Sequence, residues 1–504
     1  MNEVACPTRI VVGHAWSFLA PDPAIESQVV GLADKATSWT DVGAYYSNAF
    51  QKGHWDGQHH LMTKKKLEFP SGLATLVAET IRNAGFPCEV VDSRTYPPLG
   101  TTQVANLEGI TLREDQRKAV SALLLAKRGL FRAPPGVGKT ETMISLVVTL
   151  GLYPVLWLTH TRHLLQQTYD RFRVRLDGMS SVKVGLVQGN NWDVGDVTVA
   201  MVQTLSHKAH RKRVANLLSH VQVVISDEAH RASSDTWYKV LMSCSAPFRW
   251  GCSATPLDRG DGTDLLLVGS IGDIVHELTL QEAQELGILE VPHVTFIDYD
   301  PTGYDTSTGS VSDLGWSYLE DHGLVFNEKR NAAVVELCKL KVSEDRRVLV
   351  LIKRIQHGKT LYNLLRAWFE GGPHVKFVWG ETSDEARQEA VKAFRSGIYR
   401  VVIASSIFDE GADIPEVDTV VIASGGNSTI KAIQRAGRGM RRKEGGSLQV
   451  YDFLDRFHPI LLRHSRKRMR VYKRMGVSQV EVQRVFTTPP TWKKTYSPLD
   501  FTVV

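Results

Sequence analysis

The sequence predicts an α/β protein with two tandem parallel-sheet domains, a small α+β accessory domain before them and a basic helical tail after them. Three observations predict it. Short β-branched and aliphatic runs alternate with helical segments at 155–158, 197–201 and 221–225, and the alternation returns at 348–352, 375–379, 401–404, 419–423 and 448–454. That is the pattern of parallel strands joined by crossover helices. A loop of small residues, APPGVGKT at 133–140, lies in the first block, and an arginine-rich string, QRAGRGMR at 434–441, lies in the second.

Taken in chain order, residues 1–105 read as short strands, a lysine turn at 64–66, an amphipathic helix and a further strand, closed by the linker YPPLGTTQ. Trp55 in this region either stacks on a base or anchors the small core, and Lys64, Lys65 and Lys66 fit phosphate contacts and a hairpin turn equally well. His54, His59 and His60 have no matching cysteine pair, which argues against zinc. Residues 106–290 form the first parallel-sheet domain and 326–458 the second. The polar stretch PTGYDTSTGSVSD within 291–325 reads as a mobile connection. The tail, 459–504, places seven Lys or Arg residues between 463 and 474, as either a solvated helix or a stripe that tracks phosphates.

The chemistry is concentrated in three strings. In the first, the backbone N–H groups around Gly136 and Gly138 can wrap a phosphate, Lys139 can place its ammonium on the β and γ oxygens, and the Thr140 hydroxyl can bind magnesium. The following helix points its positive end at the same anion. Position 133 is alanine where the pattern usually begins with glycine. The second string, SDEAH at 226–230, follows a β-branched run suited to a strand buried on both faces. Ligands of open α/β sheets collect at the carboxyl ends of strands, so Asp227 suits magnesium and Glu228 suits orienting or deprotonating a water. The third string spaces Gln434, Arg438 and Arg441 about one helical turn apart, so that they share a face. Arginines aimed at a γ-phosphate stabilise transition-state charge. A phosphate loop in one sheet and arginines in the other imply a nucleotide bound between two domains, whose cleft opens and closes with hydrolysis.

This set resembles a superfamily 2 helicase of the DEAH-box kind, and the likeness runs through nearly the whole chain. The resemblance implies that both sheet domains are RecA-like. In LREDQRKAV at 112–120 it makes Gln116 the reader of the adenine edge, although Asp115 stands where an aromatic is common. HTRHLLQQ at 160–167 is similar to motif Ia, with His160 in place of the usual proline, and implies phosphate contacts from Thr161 and Arg162. VQTL at 202–205 adds Thr204 as another nucleic-acid contact. His230, with Ser253 and Thr255 of the SAT string, is implied to couple hydrolysis to strand movement. ASSIFDEGADIP at 404–415 resembles motif V, placing Ser405 near nucleic-acid phosphate and Gly411 and Asp413 near the nucleotide. Within the superfamily, KGHWDGQHHL, LIKRIQHGKTL and HSRKRMRVYKRMG look like parts of the phage UvsW-type and XPB-like branch. That branch consists of DNA-dependent ATPases that unwind or branch-migrate joint DNA. It implies a DNA partner that is branched, forked or hybrid, with RNA as the alternative, and roles in recombination, repair or replication.

Composition agrees. Over 504 residues, 60 Lys and Arg against 54 Asp and Glu give a net charge of +6, compatible with a polyanionic partner. The five cysteines form no CxxC pair and read as reduced thiols of a cytoplasmic protein, host cytoplasm if the chain is phage-encoded. No run of eighteen apolar residues suggests a membrane span, no leader is evident, and the lack of a heptad pattern makes a monomer the default. A duplex translocase, an RNA helicase and a nucleic-acid sensor with a vestigial ATP site are the alternatives. The intact Lys139, Asp227, Glu228, Gln434, Arg438 and Arg441 argue against the last. No nuclease cluster is present in the sequence.

Overall fold

The structure is a computed structural model describing residues 7–41, 43–98, 103–177, 182–257, 262–289, 292–299, 316–370, 374–405, 417–425, 448–474, 477 and 480–484. These belong to two compact units, 1–134 with 138–279, and 280–504 with 135–137.

Six strands open the first unit: β1 (Thr8–Val12), β2 (Trp16–Ala20), β3 (Ser38–Thr40), β4 (Gln58–His60), β5 (Glu68–Pro70) and β6 (Cys88–Asp92). Four of them form a sheet in the order β5-β2-β1-β6, while β3 and β4 make a separate antiparallel ribbon. Ile10, Leu19 and Phe69 from the sheet bury themselves against Val29, Ala33, Val77 and Ile81, which lie on helices Glu26–Ala36 and Ala74–Asn83. One covered face explains why buried and exposed residues alternate along β2.

This accessory domain is fused to the larger sheet that follows. Leu265 and Val268 of helix Asp264–Ser270 pack against its core. The approach is close enough that a Cβ at Gly72 would lie 1.8 Å from the Val268 carbonyl oxygen. Arg128 reinforces the junction: its guanidinium donates to the carbonyls of Ile271 at 2.8 Å and of His14 at 3.3 Å.

The larger sheet of the first unit contains β7 (Arg128–Arg132), β8 (Val155–Thr159), β9 (Val184–Gln188), β10 (Asn191–Asp193), β11 (Val197–Met201), β12 (Val223–Asp227), β13 (Phe248–Ser253) and β14 (Ile274–Glu277). Their order is β10-β9-β11-β8-β12-β13-β7-β14, parallel throughout except for the β9–β10 hairpin. β8 and β12 are buried at every position, as central strands covered on both faces must be.

Among the described residues the second unit has seven parallel strands: β15 (His293–Asp298), β16 (Val348–Leu351), β17 (Val375–Val378), β18 (Val401–Ala404), β19 (Thr419–Ile422), β20 (Gln449–Phe453) and β21 (Val480–Arg484), in the order β17-β18-β16-β19-β20-β15-β21. Two parts depart from the sequence reading. The segment 291–325 is not all connection, because β15 pairs with both β20 and β21. Its apolar HVTFID run is short and sits beside the polar stretch, which dominated the reading. The described part of the tail, 459–474 with 477 and 480–484, is likewise built into the unit: β21 extends the sheet, and helix Pro459–Arg474 is held by a buried charge network. Arg468 donates to Asp452 at 2.9 Å and to Asp455 at 3.2 Å, and Arg330 donates to the other oxygen of Asp455 at 2.8 Å. All four side chains are essentially excluded from solvent.

Candidate nucleotide-hydrolysis site

Three neighbouring strands of the first sheet deliver the site. β13 lies between β7 and β12, and the register pairs Ser253 with Arg132 on one side and Cys252 with Asp227 on the other. The glycine-rich loop leaves the end of β7, the Asp-Glu pair the end of β12 and the SAT string the end of β13, so all three emerge at one edge. The Ala133 N–H donates to the Ser253 carbonyl at 3.1 Å and ties the start of the loop to β13.

The loop has the backbone its glycines allow. Gly136 and Gly138 have φ of +87° and +90°, a region that side chains with a Cβ rarely enter. At Gly138 a Cβ would also lie 2.7 Å from the Gln116 amide nitrogen. Helix Lys139–Leu150 begins at the next residue, so its unpaired N–H groups and positive dipole end face the loop. The Lys139 ammonium donates to the carbonyls of Ala133 and Pro134, 3.1 Å from each. This holds a cation across the concave side of the loop. Thr140 follows at the second helical position, half-buried.

Asp227 is buried and accepts from the Glu228 N–H at 2.9 Å and from the Cys252 thiol at 3.4 Å, both at Oδ1. No hydrogen bond to Oδ2 is recorded among the described residues. A carboxylate oxygen left for a hard cation, with the Thr140 hydroxyl as a further oxygen donor, fits magnesium by donor chemistry. Burial and the neighbouring Glu228 carboxylate push the Asp227 carboxyl above its ordinary range. Glu228 moves the other way. Burial opposes its ionisation, but the hydrogen bond with His230 and the charge of Lys139 outweigh it and hold the carboxylate ionised. Glu228 also has φ of +50°, an uncommon conformation for a residue with a side chain that marks functional positions.

His230 connects this pair to β13. Its Nδ1 lies 3.1 Å from the Ser253 hydroxyl and 3.4 Å from a Glu228 carboxylate oxygen, and the Ser253 oxygen accepts from the Thr255 N–H at 3.3 Å. The structure therefore brings together Lys139, Thr140, Asp227, Glu228, His230, Ser253 and Thr255. It also brings in Cys252, whose contact with Asp227 sequence reasoning missed. The signal was available: two parallel strands that both end in functional strings place the residue before Ser253 opposite Asp227.

The remaining predicted residues are placed as follows. Gln116 is buried; its side-chain oxygen accepts from the Arg113 N–H at 3.1 Å and its amide donates to the Gly138 carbonyl at 3.4 Å, so it joins a helix start to the phosphate loop. Thr161 caps helix Arg162–Arg175 by accepting from the Leu164 N–H at 3.2 Å, while Arg162 is exposed. Thr204 is buried and accepts from the Gly189 N–H at 2.9 Å, so in this arrangement its hydroxyl braces a turn. Ser405 is buried at the end of β18. Gly411, Asp413, Gln434, Arg438 and Arg441 lie outside the described residues.

Two largely parallel sheets in series, with a phosphate loop, an acidic pair and a linked serine at adjacent strand ends, define an ATP-driven motor enzyme of the helicase class. Residues 109–258 match the family model for the type III restriction enzyme res subunit, and residues 329–443 match the helicase conserved C-terminal domain. With these two helicase domains the chain resembles the superfamily 2 helicases, and within them the UvsW and XPB-like branch. Among curated proteins it is 25% identical over 72% of its length to "DNA 3'-5' translocase XPB2" of Sulfurisphaera tokodaii, covering 84% of that protein. It is 23% identical over 82% of its length to "ATP-dependent DNA helicase uvsW" of Enterobacteria phage T4, covering 84% of it. A "Putative DNA 3'-5' helicase Rad25" of Haloarcula marismortui is 26% identical over 72% of the chain, which spans 55% of that relative. In fold, the chain is similar to the DNA-bound restriction-modification enzyme LlaBIII, with a TM-score of 0.56, 15% identity and coverage of 82% of this chain and 34% of that one. It is also similar to the DNA-bound DUF1998 helicase MrfA, with a TM-score of 0.54, 15% identity and coverage of 71% and 51%.

Proposed function

We propose that the chain is an ATP-driven DNA helicase that unwinds or branch-migrates forked, junction or RNA–DNA hybrid substrates. The DNA relatives support the substrate class. The observation that carries the motor reading is the path from Glu228 through His230 to Ser253, because it joins a group suited to aiming water to the strand end that leads into the SAT string.

In this reading the loop N–H groups and the Lys139 ammonium bind the β and γ phosphates, with Lys139 leaving the two carbonyls it now holds. Thr140 and Asp227 hold magnesium, which supplies charge neutralisation on the transferring phosphoryl group. Glu228, kept ionised, accepts a hydrogen bond from the attacking water and aligns it with the γ-phosphorus. Gln434, Arg438 and Arg441 contribute donors to the oxygens that gain charge in the transition state, and Gly411 and Asp413 lie near the nucleotide. Gln116 holds the adenine edge. Thr161, Arg162, Thr204 and Ser405 contact nucleic-acid backbone, Thr161 and Thr204 after giving up their present partners. Residues 1–105 add a DNA-binding surface, and the chain acts as a monomer in the cytoplasm.

The test is Glu228→Gln with ATP and a forked DNA. The account predicts retained ATP and DNA binding with steady-state turnover reduced by about a thousandfold, the scale of losing a group that acts in the phosphoryl-transfer step. Turnover within a few-fold of the unsubstituted protein removes Glu228 from the reaction.

A further inference from the structure

Helix Pro459–Arg474 contains seven Lys or Arg and no Asp or Glu, and the structure sorts them. Arg468 turns inward to Asp452 and Asp455 beside the buried Leu461, Leu462, Ser465 and Tyr472. Arg463, Arg466, Lys467, Arg470 and Lys473 are exposed. Their spacings of three and four residues place them on one face, opposite the buried one. No ion pair to any of the five is recorded among the described residues.

A helix face that only meets water commonly mixes signs, because opposite charges three or four residues apart attract and like charges repel. Here every exposed position after the first turn whose side chain is described is a cation. The repulsion is tolerated because the inner face is clamped by the Arg468 network, which fixes the stripe to the sheet. The stripe runs about 15 Å along the helix axis, a length comparable to roughly four phosphates of one DNA strand. At its flank the partly exposed Trp316 packs against His464, ring centroids 5.3 Å apart.

We propose that Arg463, Arg466, Lys467, Arg470 and Lys473 form a DNA-backbone docking surface on the second unit, outside the motor motifs, that sets affinity for DNA without taking part in hydrolysis. The inference rests on the DNA-helicase reading and specifies where that DNA is additionally held. Its occupant is the DNA phosphate backbone, identified by charge complementarity and by the regular spacing of the cations.

The test replaces all five with glutamine, which keeps helix propensity and leaves the inner face intact. With the full chain and a duplex DNA of defined length, binding is measured from low to physiological salt, and DNA-stimulated ATP turnover is measured on the same duplex. Each phosphate contact contributes about 0.9 to the slope of log affinity against log salt. The expected result is a slope shallower by at least about 2, a DNA concentration for half-maximal turnover raised tenfold or more, and a maximal turnover within twofold of the parent. A slope and half-maximal concentration unchanged in a folded variant overturn the proposal, and so does a loss confined to maximal turnover. If duplex, fork and single-stranded DNA all fail to stimulate the parent protein, the DNA-helicase reading itself fails. Stimulation of the parent with an unaffected variant removes only the docking surface.

Discussion

His230 on the turn after β12 and Ser253 at the end of β13 are joined side chain to side chain at 3.1 Å. The same imidazole nitrogen stands 3.4 Å from Glu228. A change in what Glu228 holds therefore reaches the SAT string through one ring, with Thr255 the next group in the chain of contacts. Replacing His230 with alanine should lower strand separation about tenfold more than ATP turnover, a difference of about 1.4 kcal/mol in coupling. Parallel measurement of the two rates on one forked DNA checks it, and equal losses would return His230 to a purely hydrolytic role.

Gly72 sets how closely the accessory domain meets the motor. Its missing Cβ leaves room for the Val268 carbonyl, and backbone cannot yield as a flexible side chain can. Gly72→Ala should destabilise the first unit by about 1 to 3 kcal/mol, the usual cost of overpacking. Thermal unfolding and the rate of proteolysis within residues 1–105 report it. An unchanged midpoint would show that the junction is compliant.

Arg468 is the centre of a buried ion network, and removing it strands the Asp452 carboxylate, while Asp455 keeps Arg330. Arg468→Met should cost about 3 to 5 kcal/mol in the stability of the second unit, whereas Arg468→Met with Asp452→Leu should recover part of the loss. Denaturant unfolding of the single and double variants distinguishes this from simple loss of packing, which the second substitution would not repair.

His60 links the β3–β4 ribbon to its surroundings through both ring nitrogens, to Asp34 at 2.8 Å and Asp56 at 2.9 Å. Lys64 pairs with the other oxygen of Asp34 at 2.9 Å. Both ring nitrogens can donate only from the imidazolium. The Asp56 bond, against some desolvation and with Asp34 adding to it, raises His60 above its ordinary value of 6.5. A raised histidine contributes stability below its unfolded pKa and loses it as pH rises through the folded one. The Asp56 carboxyl is lowered, chiefly by the Gln58 N–H and then by His60, so its contribution disappears as pH falls through the acid range. The contribution of the His60–Asp56 pair is therefore fully present between about pH 4 and 6.5. The decline above that window should flatten in His60→Gln, as followed by thermal unfolding across pH.

Much of the motor was legible because its chemistry is local in sequence. The loop at 133–140, the pair at 227–228 and the serine at 253 are each read from a short string of their own; only the pair follows a β-branched run, and the parallel register of β7, β12 and β13 brings the three ends together. What escaped the reading depends on distant partners. Arg468 looked like one more cation of a basic tail until Asp452 and Asp455 turned it inward, and His293–Asp298 looked like the start of a linker until β20 and β21 lay on either side. Thr161 and Thr204 show the same limit: their motif positions are evident, but the hydroxyls cap a helix and brace a turn, tasks set by neighbours that the motifs do not include. Trp55 was open between base stacking and anchoring, and its indole N–H donates to the Gln58 carbonyl at 2.7 Å, which ties it into its own loop.

ATP turnover and strand separation on a matched panel test the central claim most directly: single-stranded DNA, plain duplex, fork, four-way junction, RNA–DNA hybrid and RNA duplex, with Lys139→Ala as the inactive control. The account predicts DNA-stimulated turnover and ATP-dependent strand separation or branch migration that favours forks, junctions or hybrids and is abolished in the control. Turnover on plain duplex with no strand separation on any substrate, or a preference for RNA duplex, would contradict it.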